Sequence, residues 1–463
     1  MIKWILLLIY IGSIITVIFV ERKHPTEAIL WVFVMICLPY FGTILYLIFG
    51  NTSIIQWVSS SRKKRLNQIQ NIPEIIDPYA ISSEDEQVIR FNYTYNHSPL
   101  TSYDSIETFT NGKSHYTSLF RDIENAKDEI FVEFYTIHHD VVGEQFAKIL
   151  EKKAKEGVKV YVLCDFIANI STPQSMFKPI IKAGGKIIRI KPFLTHYRSH
   201  RKIVVIDRNI SYIGGMNIGK QYANMAKKKN PWRDTQVRLV GSCSQILCKY
   251  FLEDWLCATK SDDVNSTLAI LDELHFSSKI HPENLCQFIM GGVDTNKECV
   301  KMVYLSLIRS AKEKIRIQSP YFIPDASILD ALKTAAAAGI QIELMIPGIK
   351  ASFFLDPVTT YYSGQLLEYG AKIYKYNGYI HAKTMTIDNE ICAIGSVNMD
   401  MRSLMVDDEI CGIFYENNFV QSYSQIYDED IQNCIPYTLD EYNCRSTKEK
   451  LMEGFFLLFA PLM

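Results

Sequence analysis

A chain of 463 residues suggests about three domains of roughly 150 residues each, and 48% apolar with 21% charged residues excludes wholesale disorder. With 49 Lys+Arg against 50 Asp+Glu the net charge is -1, so no global basic field is available to hold nucleic acid, although a local basic groove is compatible with it. The 11 Cys are scattered without a CxxC pair, and Cys243 and Cys248, the nearest two, stand far from any His at zinc-ligand spacing; neither a disulfide framework nor a structural zinc is expected, and a reducing compartment fits.

The first elements in chain order are apolar. No charge occurs from Trp4 to Val20, nor from Ala28 to Phe49. At 1.5 Å rise per residue each stretch reaches across a hydrocarbon core of about 30 Å, the first only with Ile2 added. The polar connector runs from Glu21 through Arg22, Lys23, His24, Pro25 and Thr26 to Glu27, and Pro25 opposes a continuous helix. Two antiparallel membrane spans over residues 1–50 are predicted, with Trp31 and Tyr46 near the interfaces. A cleaved signal peptide is disfavoured because Ile18-Phe19-Val20 offers no small-residue cleavage site. A soluble helical hairpin is disfavoured because neither helix has a polar stripe. Arg62, Lys63, Lys64 and Arg65 outweigh Arg22 and Lys23, which predicts a multi-pass cell-membrane protein with both termini and the soluble remainder cytoplasmic. The same cluster serves either as topogenic charge or as a contact to anionic headgroups.

Residues 51–108 read as a polar lead-in with weak periodicity. An alternation of strand and helix signals then begins, and it occurs twice. Strand-like Ile130 to Tyr135, an amphipathic stretch from Val142 to Lys155 stopped by Gly157, and strand-like Val158 to Leu163 lead to Ala183-Gly184-Gly185 and the strand Lys186 to Ile190. Ile315 to Gln318, Ile328 to Ala338 with Gly339, Ile340 to Ile346, and Tyr369 to Ile373 repeat that order at an offset of 181 to 186 residues. The expected architecture is α/β, with two pseudo-symmetric lobes at 109–260 and 261–463 packed together behind the hairpin.

Each copy ends on one constellation. The first has His200, Lys202 and Asp207, then Gly214-Gly215-Met216-Asn217. The second has His381, Lys383 and Asp388, then Gly395-Ser396-Val397-Asn398. In both, Lys follows His by two residues, Asp by seven and Asn by seventeen. A period of two puts His and Lys on one face of a strand, and the small residues allow a tight return that brings Asn back towards them. A neutral imidazole is a good nucleophile towards phosphorus, while an ammonium and an amide hold the non-bridging oxygens as charge develops. A second imidazolium, opposed across a pseudo-twofold, can protonate the leaving oxygen. That set cleaves a phosphodiester without a metal. A single HxKxxxxD match arises by chance, but two copies ending matching repeats are specific.

The duplicated HxKxxxxD motif resembles the signature of the phospholipase D superfamily. Leu38-Pro39-Tyr40-Phe41-Gly42 and Tyr46 to Gly50, together with Pro231-Trp232-Arg233-Asp234, Gln318 to Pro324 and Asn398 to Ser403, resemble its bacterial cardiolipin synthase branch over nearly the whole chain. The resemblance implies that two phosphatidylglycerol molecules become cardiolipin and glycerol through a phosphohistidine, with no cofactor and no nucleotide, because one phosphodiester is traded for another. It implies His200 as nucleophile and His381 as general acid/base, although the near-equivalent half-sites leave the choice open. Lys202, Lys383, Asn217 and Asn398 would clamp phosphate, and Asp234 and Glu409 would each stand behind a His to fix its tautomer. Turn-capping by Asp234 and solvent exposure of Glu409 are the plain alternatives. Asp207 and Asp388 belong to the catalytic motif, and seven residues along a strand is too far for a bond to their own His, so they are read as structural supports.

The sequence departs from the branch at two positions, with Asp407 where Asn is common and Ala351 where an acid is common; both bear on acceptor selection. The apolar tail from Gly454 to Met463 is too short to span; docking on the core and dipping into the interface both suit it. The implied partners are phosphatidylglycerol, cardiolipin and the membrane, not nucleic acid, with the oligomeric state open. Competing functions are a phospholipase D-type hydrolase, in which water accepts, and a catalytically silent membrane scaffold. A scaffold is expected to have lost a His or Lys, and both pairs are present.

Overall fold

The computed structural model describes residues 2–21, 25–50, 52–69, 85–191, 198–225, 231–259, 263–276, 281–295, 298–350, 352–415 and 417–463. Among them one apolar helix, through Lys3–Val20, is long enough to cross a membrane. The second apolar stretch is not one straight helix. Pro25–Cys37 is helical, Leu38-Pro39-Tyr40 turns, and Phe41–Leu45 resumes the helix. Pro39 disfavours helical backbone at Leu38 and has no N–H to donate, and Tyr40 sits at φ 66. The returning segment packs so closely that a Cβ on Gly42 would meet Val34 O at 2.6 Å. Tyr46 is buried with its ring edge-on to Trp31 at 5.8 Å, so these two aromatics pack on each other.

The expected duplication is present strand for strand. One sheet runs in the order Ser105–Phe109, Gln236–Val240, Ile210–Gly214, Lys202–Ile206, Glu129–Phe134, Lys159–Asp165 and Lys186–Ile190. The central seven strands of the second sheet repeat it: Leu285–Gly291, Glu409–Phe414, Ile391–Gly395, Thr384–Ile387, Lys314–Gln318, Gln341–Pro347 and Lys372–Tyr376. Thr101–Ser102 and Cys434–Tyr437 extend its two edges. Chain before residue 109 therefore already contributes an edge strand to each sheet.

Period-two patterning explains how the sheets face each other. Ile203 and Val205 join a core shared with Ile394, Ile410 and Phe414 of the second lobe, whereas Val204 and Ile206 face the first lobe's own helices. Gly412 lets the sheets approach, since a Cβ there would lie 2.8 Å from Ile213 Cδ1. The helix Cys243–Ala258 packs into the same shared core. The tail docks through Phe456 and Ala460, which are buried against Ile323 and Val358, while Phe455, Leu458 and Phe459 remain exposed. Residue 351, one of the two departures from the branch pattern, lies outside the described residues.

Candidate active site

The two sheets bring the two motifs to one seam. His200 precedes the strand Lys202–Ile206, and its N–H donates to the carbonyl of Asp408, 2.8 Å away in the other lobe. His381 precedes the strand Thr384–Ile387, and its N–H donates to the carbonyl of Arg233 at 2.6 Å, again across the seam. Asp408 and Arg233 are the residues immediately before Glu409 and Asp234, so each backbone link brings an acid with it. The imidazole Nδ1 of His200 is 2.9 Å from Glu409 Oε1, and that of His381 is 2.6 Å from Asp234 Oδ2. Each histidine is thus paired with the acid of the opposite lobe. Glu409 is buried rather than solvent-exposed, and Asp234 accepts from Thr235 N at 2.8 Å through Oδ1 while its Oδ2 reaches the imidazole.

The residue at the foot of each return loop suits its acid. A Cβ on Gly215 would lie 2.1 Å from Asp234 Oδ1, so only glycine leaves room for that carboxylate. In the second lobe the matching Ser396 hydroxyl donates to Glu409 Oε2.

Lys202 is buried and donates to His200 O at 2.5 Å; Lys383 makes the same bond to His381 O. An ammonium has three donors, so each lysine keeps N–H groups for a ligand. Burial, then the charges of Lys202 and Lys383, push His200 well below its usual range. Burial and then Lys383 bring His381 down to about 4. Both lysine charges act on both imidazoles, as expected of a single pocket. Burial lowers Lys202 to about 8 and Lys383 to about 7. Burial also raises Glu409 to about 7, against the pull of Lys202. Burial and the lysine charges thus favour the neutral form of both rings, each with Nδ1 at its acid and Nε2 left free of that contact.

The asparagines differ. Asn217 Nδ2 donates to Tyr222 OH at 2.7 Å and its Oδ1 accepts from Thr136 N at 3.2 Å. Asn398 is buried, and its Oδ1 has no hydrogen-bond partner among the described residues. Asp407 pairs with Arg402 Nη2 at 2.9 Å.

Asp207 and Asp388 lie at the far ends of their strands. Asp207 accepts from Lys127 N at 2.9 Å, Asp128 N at 2.8 Å and Glu129 N at 3.0 Å. Asp388 does the same for Lys312 N at 2.6 Å, Glu313 N at 2.9 Å and Lys314 N at 2.6 Å. Both have positive φ, 49 and 51, which Asp tolerates better than most residues. Each clamps the turn that feeds its neighbouring strand and has no contact with the imidazoles. We expect Asp207→Ala to destabilise the protein by about 2 kcal/mol, with Asp207→Asn costing less because it keeps an acceptor and the backbone preference. Thermal inactivation in micelles checks this; kcat of the folded fraction is expected to stay within a few-fold.

Aromatic rings close the site, and pattern reasoning missed them. Tyr135 lies 4.8 Å from the His200 ring with Lys202 Nζ 5.5 Å from its centroid. Trp232 and Tyr222 stand 5.3 and 5.9 Å from His381. Trp232 belongs to the quoted string before Asp234; Tyr222, five residues after Asn217, carries no sequence signal.

Two lobes of this topology, each ending on the same His, Lys and Asn, define a phospholipase D-type protein. The sequence matches the family model described as Cardiolipin synthase, PLD-like domain, over residues 119–241 and 304–431. Residues 5–51 match Phospholipase_D-nuclease N-terminal. The chain is 34% identical to a cardiolipin synthase of Listeria welshimeri, covering 99% of this chain and 98% of that one. It is 32% identical to the major cardiolipin synthase ClsA of Bacillus subtilis, over 97% and 96% respectively. Among solved structures, phosphatidylserine synthase of Haemophilus influenzae superposes with a TM-score of 0.62 over 81% of this chain and 97% of that one, and at 14% identity the likeness shows the fold alone. The chain belongs to the cardiolipin synthases, phosphatidyltransferases of the phospholipase D superfamily.

Proposed function

We propose that the protein joins two phosphatidylglycerol molecules into cardiolipin and glycerol through a phosphatidylated His200. The observation that carries this reading is the pair of imidazoles, each held at Nδ1 by the opposite lobe's acid and both within the field of the same two lysines. His200 Nε2 attacks phosphorus while the bond to the headgroup glycerol breaks, and the departing oxygen takes a proton from His381. The second lipid's hydroxyl then returns a proton to His381 as its oxygen forms the new ester and the N–P bond breaks. The bound phosphate anion offsets the lysine charges and raises the proton affinity of His381 for this role. Lys202, Lys383, Asn217 and Asn398 hold the non-bridging oxygens. The aromatic walls limit water, which favours transfer over hydrolysis.

In this reading the chain comprises a membrane hairpin at 1–50, a lead-in at 51–108 whose end also lends an edge strand to each sheet, and lobes at 109–260 and 261–463. The chain is multi-pass, with the lobes at the cytoplasmic face, where the anionic lipid headgroups lie. Labelled phosphatidylglycerol in mixed micelles without divalent metal tests the activity. Cardiolipin with glycerol supports it, phosphatidic acid alone means hydrolysis, and no turnover means a scaffold.

A pH prediction follows from the lysines. Both must be cationic to bind phosphate, and burial brings Lys383 to about 7 and Lys202 to about 8. Each is charged below its value and neutral above it. Since kcat/KM reports the free enzyme, it is expected to fall about tenfold per unit between pH 7 and 8 and about a hundredfold per unit above pH 8. The limb in kcat is expected at higher pH, because bound phosphate keeps the lysines protonated.

A further inference from the structure

The basic cluster after the apolar segment has a part that neither topogenic charge nor headgroup contact describes. Arg62, on the helix Thr52–Leu66, is 12% exposed and turned into the body of the protein. Its Nη2 lies 2.7 Å from Asp254 Oδ1 and 3.3 Å from Asp294 Oδ2, and its Nη1 donates to Asp408 Oδ2 at 2.9 Å. Arg65, one turn on, donates to the carbonyls of Leu256, Cys257 and Thr259 at 2.9, 3.3 and 2.8 Å. These carbonyls close the C-terminal end of the helix Cys243–Ala258, where backbone acceptors lack intrahelical donors. Two arginines thus seat the membrane-proximal helix on the lobes.

Arg62 does more than seat it, because of the residue it holds. Asp408 precedes Glu409, its carbonyl accepts the His200 N–H at 2.8 Å, and its own N–H donates to Arg198 O at 2.9 Å. Arg201, the neighbour of His200, approaches Asp408 Oδ1 at 3.6 Å, pairs with Asp254 and donates from Nε to Glu409 O at 3.1 Å. Arg62 and Arg201 together therefore face Asp254, Asp294 and Asp408 where the His200 strand crosses the Glu409 strand. Without Arg62, these carboxylates, with the buried Glu133 beyond them, are left facing the Arg201 guanidinium. A buried charge without its partner is costly and is relieved by protonation or by movement. Movement of Asp408 displaces His200 and Glu409, which are tied to it through the backbone. At the other half-site Arg233 is paired with Asp430 instead, its Nη2 2.7 Å from Oδ2.

We propose that Arg62 is a positioning residue for His200: the helix leaving the membrane segment supplies the guanidinium that aligns the His200–Glu409 half-site. The inference rests on the phosphatidyl-transfer reading.

Full-length Arg62→Ala, Arg62→Lys and Arg65→Ala in phosphatidylglycerol micelles test it. Arg62→Ala is expected to lose about 10²-fold in kcat, the scale of a small misplacement at a reacting centre, with KM within a few-fold. Guanidinium added to that variant is expected to restore turnover in proportion to its concentration. Arg62→Lys, a point charge unable to serve three carboxylates, is expected to lose about tenfold, and Arg65→Ala to keep kcat within threefold. A folded Arg62→Ala with kcat within threefold of the parent overturns the proposal. So does an equal loss in Arg65→Ala without guanidinium rescue, which makes helix seating alone the cause. Where Arg62→Ala does not fold, Arg62→Lys decides, and parental kcat there overturns the proposal. A parent that forms no cardiolipin fails the functional reading; an active parent indifferent to Arg62 fails only this inference.

Discussion

His200→Ala and His381→Ala are each expected to lower cardiolipin formation by about 10⁴-fold or more, because neither proton transfer nor nucleophilic attack has a substitute in the pocket. The expected equality of the two losses with phosphatidylglycerol hides different causes. A phosphatidyl donor with a nitrophenol leaving group separates them, since such an oxygen departs without a proton. His381→Ala is then expected to release a stoichiometric burst of nitrophenol and stall as the phosphatidyl-enzyme, whereas His200→Ala releases none. The reverse pattern reassigns the nucleophile to His381, and turnover in either alanine variant with phosphatidylglycerol removes the two-histidine mechanism. Both side chains are largely enclosed, 14% and 13% exposed, so membrane insertion and thermal stability are measured alongside.

The second large effect tests the crossing of the lobes. Glu409→Gln and Asp234→Asn keep side-chain shape but offer an amide donor to an imidazole N–H. The imidazole then turns over or takes the wrong tautomer, and a loss of about 10²–10⁴-fold in kcat is expected for each, with KM for phosphatidylglycerol changed little. Because Glu409 bonds to His200, the burst from the nitrophenol donor is expected to vanish in Glu409→Gln. In Asp234→Asn, which disturbs His381, the burst is expected to survive. That assignment is the opposite of pairing within a lobe, under which Asp234→Asn abolishes the burst. The burst therefore reports which acid serves which histidine.

Much of the fold was readable because strands and helices print their periods on the sequence. The alternation at Ile203, Val204, Val205 and Ile206 divides between two cores as a period of two requires. That Asp207 and Asp388 stand away from their own histidines was readable too, from the length of a strand. The second apolar stretch was not: absence of charge measures solubility in lipid, and the break at Pro39 is a backbone property that hydropathy does not register. The ring of aromatics was also hidden, since Tyr135 and Tyr222 come to the imidazoles from separate elements.

The sequence alone determined that the motif occurs twice, because each His, Lys and Asn is set by spacing within one strand and one return loop. Only the tertiary structure decided how the halves complete each other. Asp234 follows His200 by 34 residues and Glu409 follows His381 by 28, which suggests pairing within each lobe. Packing of the two sheets instead runs the backbone of each histidine alongside the opposite lobe's acid, and brings Arg62 from the membrane-proximal helix to the same seam. Local spacing encodes what one strand can reach; a bond across an interface depends on the rigid-body fit of two lobes, which no local pattern records.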